Sequence, residues 1–450
     1  ILSLIFLYPI GYEILHNEQT IFYLLGNYEN SYGIELKLDF FSFIFLSLMN
    51  FSFFIFIFYK LFLDSRDFKK EYLLLVTIAG FNGILMSNDL FNIYVFLELS
   101  SISFCGFIAS SNKQLRLKSS FEYLIFGSIG ATLYLIGVAF LYLMTGHLNI
   151  SNVIKSSMIF DQYSQGFIYI SLVFILFGFW IKLGIPPFHR WLVDIYDRQK
   201  ATTTMFLAFS SSTISIYLLL RFFFNVYGVW NINDNLHLNI PVQIVGLITV
   251  IFFSWEALRA LDTKKMLVYL CFSSFGWIIF TTGLIYNIND LITIKSLIIQ
   301  IINGILSKPI LFILISPSVL YLIDSSRKKT LHKFLICFLI LNILGIPPLP
   351  GFFGKFYMLY GMFEKKLFIT SIFVIIGIGL SIMSSLKFLN LATNFVNSIQ
   401  PTQTNSTNKY KVLIVPAVIL TSVLIGILIY SNDTELYFWL LKRNLLLNSN

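Results

Sequence analysis

The sequence predicts an all-α polytopic membrane protein of about 12 transmembrane helices, arranged as two inverted five-helix repeats that each contain a proline-broken helix. Three observations predict it. The 450 residues are 57% hydrophobic, 18% aromatic and 12% charged, with a mean hydropathy of +0.80. Soluble domains carry about 25% charged residues, and disorder, collagen and coiled coil are excluded by the same values. The connecting loops alternate in charge, and the tetrapeptide Gly-Ile-Pro-Pro occurs twice, at 184–187 and 345–348.

Residues 1–38 form an N-terminal segment. Its apolar start, 1–9, is too short to cross a bilayer, because a spanning helix needs about 20 apolar residues. No cleavable signal peptide is evident. Runs of spanning length follow at 39–61, 71–87, 89–110, 119–144, 166–185, 203–226, 239–258, 266–285, 291–322, 334–362, 367–391 and 411–431, denoted spans A to L. They group into a leading helix with a basic loop (39–70), a first repeat (71–226) and a second repeat (239–391). A last segment (392–450) holds a polar loop at 397–410, span L and an interfacial tail in which Tyr437 and Trp439 precede Lys442 and Arg443. Aromatic residues of that kind sit at headgroup depth.

The formal net charge is +9. In a soluble chain that would suggest nucleic acid; here the cations collect in alternate loops, as the positive-inside rule requires, and no nucleic-acid partner is implied. Loop A/B has Lys60, Arg66, Lys69 and Lys70; C/D has Lys113, Arg116 and Lys118; E/F has Arg190, Arg198 and Lys200. Loop G/H has Arg259, Lys264 and Lys265, and I/J has Arg327, Lys328, Lys329 and Lys333. Between them, B/C, F/G and H/I hold Asp89, Asp234 and Asp290 with no Lys or Arg, and D/E sets Lys155 against Asp161. Loop J/K, with Glu364, Lys365 and Lys366, departs from the pattern.

The two Gly-Ile-Pro-Pro sites end span E and interrupt span J. Proline lacks an amide donor and clashes with the preceding turn, so both helices should break, at Pro186 and Pro187 and at Pro347, Pro348 and Pro350. Broken helices at matching places in two halves mark transporter folds built from inverted repeats. A double proline can also merely end a helix, but each of these sites has a lysine beside it, Lys182 before the first and Lys355 after the second.

A charge at the bilayer centre costs at least about 2.5–3.5 kcal/mol and usually faces the bundle interior. Four such residues stand out: Glu98 in span C, Lys182 and Lys355 at the breaks, and Lys308 in span I, just before Pro309. Long lysine side chains near helix ends can snorkel to water; Glu98 and Lys355 are too central for that, whereas a helix ending at Pro309 would leave it open to Lys308. Glu122 and Glu256 lie near the ends of spans D and G, where a solvated or paired role is equally compatible. His189 follows the first break, either as a packed structural group or as a proton bridge. A carboxylate and separate lysines in an apolar bundle suit a proton relay: burial favours neutral lysine, a nearby carboxylate favours the charged form, and moving the carboxylate releases the proton. No phosphate loop, dinucleotide fingerprint, nucleophile elbow or haem motif is present. Cys105, Cys271 and Cys337 are isolated in apolar runs, so no redox cofactor or metal is expected in this chain.

The stretch Lys182-Leu-Gly-Ile-Pro-Pro-Phe-His-Arg-Trp-Leu-Val-Asp-Ile-Tyr196 resembles the broken-helix signature of the subunit 2 family of NADH dehydrogenase, the bacterial subunit N of respiratory complex I. So does Leu344-Gly-Ile-Pro-Pro-Leu-Pro-Gly-Phe-Phe-Gly-Lys355-Phe-Tyr357. Ala257–Tyr269 is similar to the motif between that family's ninth and tenth helices. Phe96-Leu-Glu98 looks like its fifth-helix glutamate, and Asp39 matches the acid that opens its third helix. The resemblance covers the chain from about residue 37. It implies two antiporter-like repeats in a proton-pumping membrane arm, Glu98 and Lys182 as the input pair, Lys355 as the distal lysine, and basic loops toward the matrix or cytoplasm. It further implies that FMN, iron–sulfur clusters and ubiquinone belong to other parts of the complex. The implied partners are neighbouring membrane-arm subunits, antiporter-like subunit 4 and small subunit 4L, together with membrane lipids. A member of a multi-subunit sodium/proton antiporter shares the glutamate and both lysines.

Three departures qualify the match. The family's central eighth-helix lysine is replaced by Ser212 in Ser210-Ser-Ser-Thr, a Lys-Tyr pair by Glu122-Tyr123, and the prolines after Asp-x-Tyr by Arg198-Gln-Lys-Ala-Thr. The axial path would then use waters held by Ser210, Ser211 and Ser212, or Lys308, or be interrupted in a structural subunit. The family's first two helices are largely missing, which implies a lineage loss or a separate N-terminal fragment as a further partner. Abundant Phe (49), Tyr (24), Ile, Leu and Asn, all with A/T-rich codons, point to an organelle genome, hence the mitochondrial inner membrane, with a bacterial plasma membrane as the alternative.

Overall fold

The structure is a computed structural model that describes residues 9–14, 20–27, 33–63, 68–110, 114–157, 165–226, 239–286, 290–320 and 326–398. Span L, the interfacial tail and all but the first residues of the polar loop lie outside the described residues, as do Arg66, Lys113, Asp161 and Asp234. Almost everything described is helix. The leading helix α1 is Phe40–Leu63. The first half continues with α2 (Phe68–Met86), α3 (Leu90–Ala109), α4 (Gln114–Thr145), the short α5 (Ile150–Ser157), α6 (Gln165–Leu183), α7 (Arg190–Arg198) and α8 (Ala201–Arg221). The second half holds α9 (Asn239–Arg259), α10 (Thr263–Leu284), α11 (Leu291–Leu314), α12 (Ser326–Leu344), α13 (Pro350–Glu364) and α14 (Phe368–Ser398).

Among the described residues, nine helices are long and apolar enough to cross a membrane. Spans B and J fall short of that measure for different reasons. The first turn of α2 contains Lys69, Lys70 and Glu71, and span J is divided into α12 and α13. Span I continues through Pro309 to Leu314 instead of ending there. Helix starts are specified locally. Asp39 and Ser42 cap each other ahead of α1, with Ser42 N–H donating to Asp39 Oδ1 at 2.7 Å and Asp39 N–H to Ser42 Oγ at 2.9 Å. Asp89 Oδ1 accepts from Asn92 N–H at 2.8 Å and opens α3.

One element has no sequence antecedent. Residues Ile21–Leu24 (β1) and Glu35–Leu38 (β2) pair antiparallel as a hairpin, and Leu36 bridges to Ser87 at the α2–α3 junction.

The two breaks are built alike. Gly184 (φ 65°) and Gly345 (φ 81°) take the left-handed conformation that ends a helix and that only glycine adopts without strain. Ile185 N–H donates to Trp180 O at 3.0 Å, as Ile346 N–H does to Leu341 O at 3.3 Å. Beyond the prolines, Phe188 N–H donates to Ile185 O at 2.8 Å, as Leu349 N–H does to Ile346 O at 2.9 Å. Both Pro-Pro bonds are cis. Pro350 does not break a helix; it is the first residue of α13, where its missing amide costs nothing. The pairing of α2 on α3 recurs as α9 on α10, whereas α4 packs mainly on α6, the helix before its break, and α11 mainly on α13, the helix after its break.

Contacts separate two faces. On the basic face, Glu122 lies between Lys118 (3.9 Å) and Arg198 (3.5 Å), and Lys265 meets Asp197 at 3.6 Å. Loops C/D, E/F and G/H therefore share that face. On the opposite face Lys365 Nζ meets Asp290 Oδ2 at 2.7 Å. This places the exceptional loop J/K beside acidic loop H/I and neutralises its lysine.

Candidate functional site

Glycines make room for the three lysines, of which Lys308 is buried and Lys182 and Lys355 partly so. Lys182, at the end of α6, runs along α4, where a β-carbon on Gly130 would stand 3.2 Å from Lys182 Cγ. Lys308 leans back along α11, its Nζ 3.9 Å from the place of a β-carbon on Gly304. Lys355 folds under the second break, its Cδ 3.3 Å from that of Gly345.

Each break borders a polar cavity. The first, about 20 Å³, is lined by Lys182 with Ser100, Ser101, Tyr123, Ser211 and Ser215. The second, about 50 Å³, is lined by Lys308 and Lys355 with Ser273, Ser274, Gln300 and Asn303. A water needs about 10–15 Å³ of such space and several polar partners, so both can be hydrated. Glu98 is half-buried on α3 and is the carboxylate whose charge acts on Lys182. Among the described residues no ion pair within 4 Å joins the two, so their attraction crosses a gap.

Lys355 Nζ donates to Ile343 O at 3.2 Å and to Leu344 O at 3.0 Å. These are terminal carbonyls of α12, the negative end of a helix dipole and without partners inside their own helix. The ammonium thus caps one half of the broken helix while sitting on the other. Asn342 and Asn303 pin the break from behind. Asn342 Nδ2 donates to Asn303 Oδ1 at 2.5 Å, and Gly351 N–H donates to Asn342 Oδ1 at 2.9 Å.

The serine run of α8 is divided. Ser211 faces the first cavity. Ser210 and Ser212 donate to their own helix, to Phe206 O at 2.6 Å and Ala208 O at 2.5 Å. Tyr196 packs against Phe272 (5.5 Å between ring centres) and Phe312 (6.0 Å). It is the electrostatic neighbour of Tyr123 in the first cavity and of Cys271, which in turn neighbours Lys308 in the second. Buried aromatic rings and the Tyr196 hydroxyl thus lie within electrostatic reach of both cavities.

His189, Glu122 and Glu256 lie away from both cavities. The His189 ring sits edge-on to Phe252 (4.7 Å) and Phe253 (5.5 Å). Glu122 belongs to the basic-face cluster, and Glu256 is 3.6 Å from Arg259.

A second polar cluster, opposite the basic face, has no sequence signal beyond Asp39 and Asp89. Arg221, 1% exposed, donates to Tyr217 Oη and, at 3.2 Å, to Asn88 Oδ1, while its Nε is buried without a partner. Glu35 accepts from Asn149 and, at 3.3 Å, from Asn88. Burial pushes the Lys37 pKa down, opposed by Asp39, deepened by Arg221 and opposed again by Glu35. The cluster staples the hairpin to the starts and ends of α3, α5 and α8.

Two cavities lined by lysine and serine, one at each of two like breaks in an apolar helical bundle, define an integral membrane protein with lysines in its interior. The chain belongs to the family of membrane subunits shared by quinone oxidoreductases and antiporters: residues 87–381 match the family described as NADH:quinone oxidoreductase/Mrp antiporter, TM. NADH-quinone oxidoreductase subunit N of Desulforudis audaxviator is 27% identical over 334 residues, 72% of this chain and 64% of the relative, so the chain spans just under two-thirds of that relative's length. A Na(+)/H(+) antiporter subunit of Bacillus subtilis is 28% identical over 322 residues, 69% of this chain and 62% of the relative. A chain of respiratory complex I from Thermus thermophilus superposes with a TM-score of 0.72 at 19% identity, covering 95% of this chain and 92% of that one. The resemblance read from the two break motifs is thus borne out, and the helical membrane fold with it.

Proposed function

We propose that this chain is a proton-translocating, antiporter-like subunit of the membrane arm of NADH:ubiquinone oxidoreductase, with Glu98, Lys182 and Lys355 as its relay and Lys308 as a further station. The observation that supports it most directly is the pair of cavities, one at each break, that hold these lysines. The chain performs no hydride or quinone chemistry; NADH oxidation elsewhere in the complex drives it. With Glu98 near, Lys182 keeps its proton. When the Glu98 charge is withdrawn or neutralised, the ammonium loses that attraction in a medium where charge interactions are strong, and its proton passes to water in the first cavity. Lys355 is held as a cation by the α12 carbonyls until it exchanges with cavity water. Since Ser212 is turned onto its own helix, the link between the cavities falls to Tyr196 and to transient water. The halves are read as inverted repeats, 71–226 and 239–391. The residue usage favours the mitochondrial inner membrane, with the basic face toward the matrix and subunits 4 and 4L as neighbours.

Two other readings have an observation behind them. The match to the Bacillus subtilis antiporter protein favours a sodium/proton antiporter. The aromatic packing at Tyr196 favours a structural subunit whose path is interrupted. Replacing Lys355 with Met in the assembled complex tests the proposal. The expected result is normal assembly with a lowered proton-to-electron ratio. An unchanged ratio supports the structural reading.

A further inference from the structure

The mechanism above leaves Lys295 unused, although it is a lysine 6% exposed inside a spanning helix. It lies at one end of a polar column. Lys308, Gly304, Gln300 and Ser296 are spaced by four along α11 and share a face. Lys308 reaches up this face to Gly304. Gln300 closes the second cavity: its Nε2 donates to Ser296 Oγ at 3.1 Å and to Gly354 O at 3.2 Å, while its Oε1 is buried without a partner. A bare acceptor on the wall of a cavity of about 50 Å³ is a place for a water to donate. Ser296 Oγ donates to Gly354 O at 2.6 Å. Next to it, Lys295 Nζ stands 4.6 Å from the centre of the Tyr357 ring.

The column has a direction. Toward the basic face α11 continues as Ile310, Leu311, Phe312, Ile313 and Leu314, all buried hydrocarbon. Toward the other face it is polar as far as Lys295, whose stem leans to the helix N-terminus like every helical side chain. About 7.5 Å of helix rise then separates it from Asp290, the carboxylate 2.7 Å from Lys365.

We propose that Lys295, poised over Tyr357, is a proton-transfer station between the Lys308–Lys355 cavity and the face opposite the basic loops. The inference rests on the relay reading above. The Lys295 ammonium gives a proton to water at the surface; the amine so formed takes a proton from water held by Gln300; an ammonium in the cavity restores that water's proton. N–H and O–H bonds alone form and break, and charge moves with the proton. Arginine would serve as well for a purely structural cation on an aromatic face, but it cannot release a proton.

The test uses the intact complex in proteoliposomes and reads the proton-to-electron ratio for Lys295→Arg, Lys295→Met, Gln300→Leu and Lys355→Met. The proposal expects Lys295→Arg, which keeps cation and packing, to lose as much of the ratio as Lys355→Met, and Gln300→Leu to lose it as well. A full ratio in Lys295→Arg makes the lysine a structural cation and overturns the inference, as does a full ratio in Gln300→Leu. If these pump normally while Lys355→Met does not, the station fails and the relay stands. If Lys355→Met also pumps normally, the relay itself fails.

Discussion

Lysine on a helix C-terminus is a recurrent device in this chain, and location decides what each one does. Lys264 donates to Asp197 O at 2.5 Å and Gln199 O at 2.6 Å at the end of α7, and Lys387 to Leu258 O at 2.6 Å and Ala260 O at 2.9 Å at the end of α9. Both are at the basic face, where water shares the load. Lys355 makes the same kind of bond beside a buried cavity. Lys264→Met is therefore expected to cost about 1.5–3 kcal/mol, the worth of hydrogen bonds to a charged group, seen as earlier thermal inactivation with an unaltered proton-to-electron ratio. Gly130 permits a finer test. Its β-carbon would come 3.0 Å from Gly178 O as well as 3.2 Å from Lys182 Cγ, so Gly130→Ala should destabilise by about 1–3 kcal/mol through overpacking and displace Lys182. Gly304→Ala meets nothing nearer than 3.7 Å and should leave thermal inactivation almost unchanged. Glu98, Lys182, Lys308 and Lys355 were legible as charges in apolar runs. Lys295 was not, because five residues from a helix start the ordinary expectation is snorkelling; Gln300 beside it was the available signal.

At the scale of elements, proline and glycine punctuation was the most legible feature. Leu-Gly-Ile-Pro-Pro predicts both breaks, and the left-handed glycines and matching hydrogen bonds follow from it. Gly345→Ala places a β-carbon in the left-handed region at a cost of about 1–2 kcal/mol, and the expected outcome is a lowered inactivation temperature together with impaired pumping, since Lys355 is aimed by that turn. Asp89→Ala should cost about 1 kcal/mol through loss of the α3 cap, with Asp89→Asn close to the parent. The hairpin was not legible. Its strands are four residues each, and β2, although it alternates as Glu-Leu-Lys-Leu, buries its charged members Glu35 and Lys37, with Asp39 buried just beyond it; only partners distant in sequence make those charges acceptable. The continuation of α11 through Pro309 was likewise undecidable locally, because packing on α8, α10 and α13 holds the helix together across the missing amide.

For the whole molecule, loop charge predicted which ends lie together, and contacts among Lys118, Glu122, Arg198, Asp197 and Lys265 agree with it. Lys365 broke the rule in sequence and is reconciled by Asp290. Assembly is the property with the sharpest outcome at this scale. Native electrophoresis of mildly solubilised source membranes, with an in-gel NADH stain and mass spectrometry, should find this chain's peptides in the large NADH-active band; a peak in a smaller, inactive band would favour the antiporter. The staple of Glu35, Asn88, Asn149 and Arg221 bears on how such a protein is made. A ribosome delivers the hairpin first, then Asn88 and Asn149, the partners of Glu35, and Arg221 only at the end of the eighth helix that follows. The staple is complete only when Arg221 reaches Asn88. An insertion machinery that kept α8 from meeting the α2–α3 junction would leave the arginine with Tyr217 of its own helix and without Asn88.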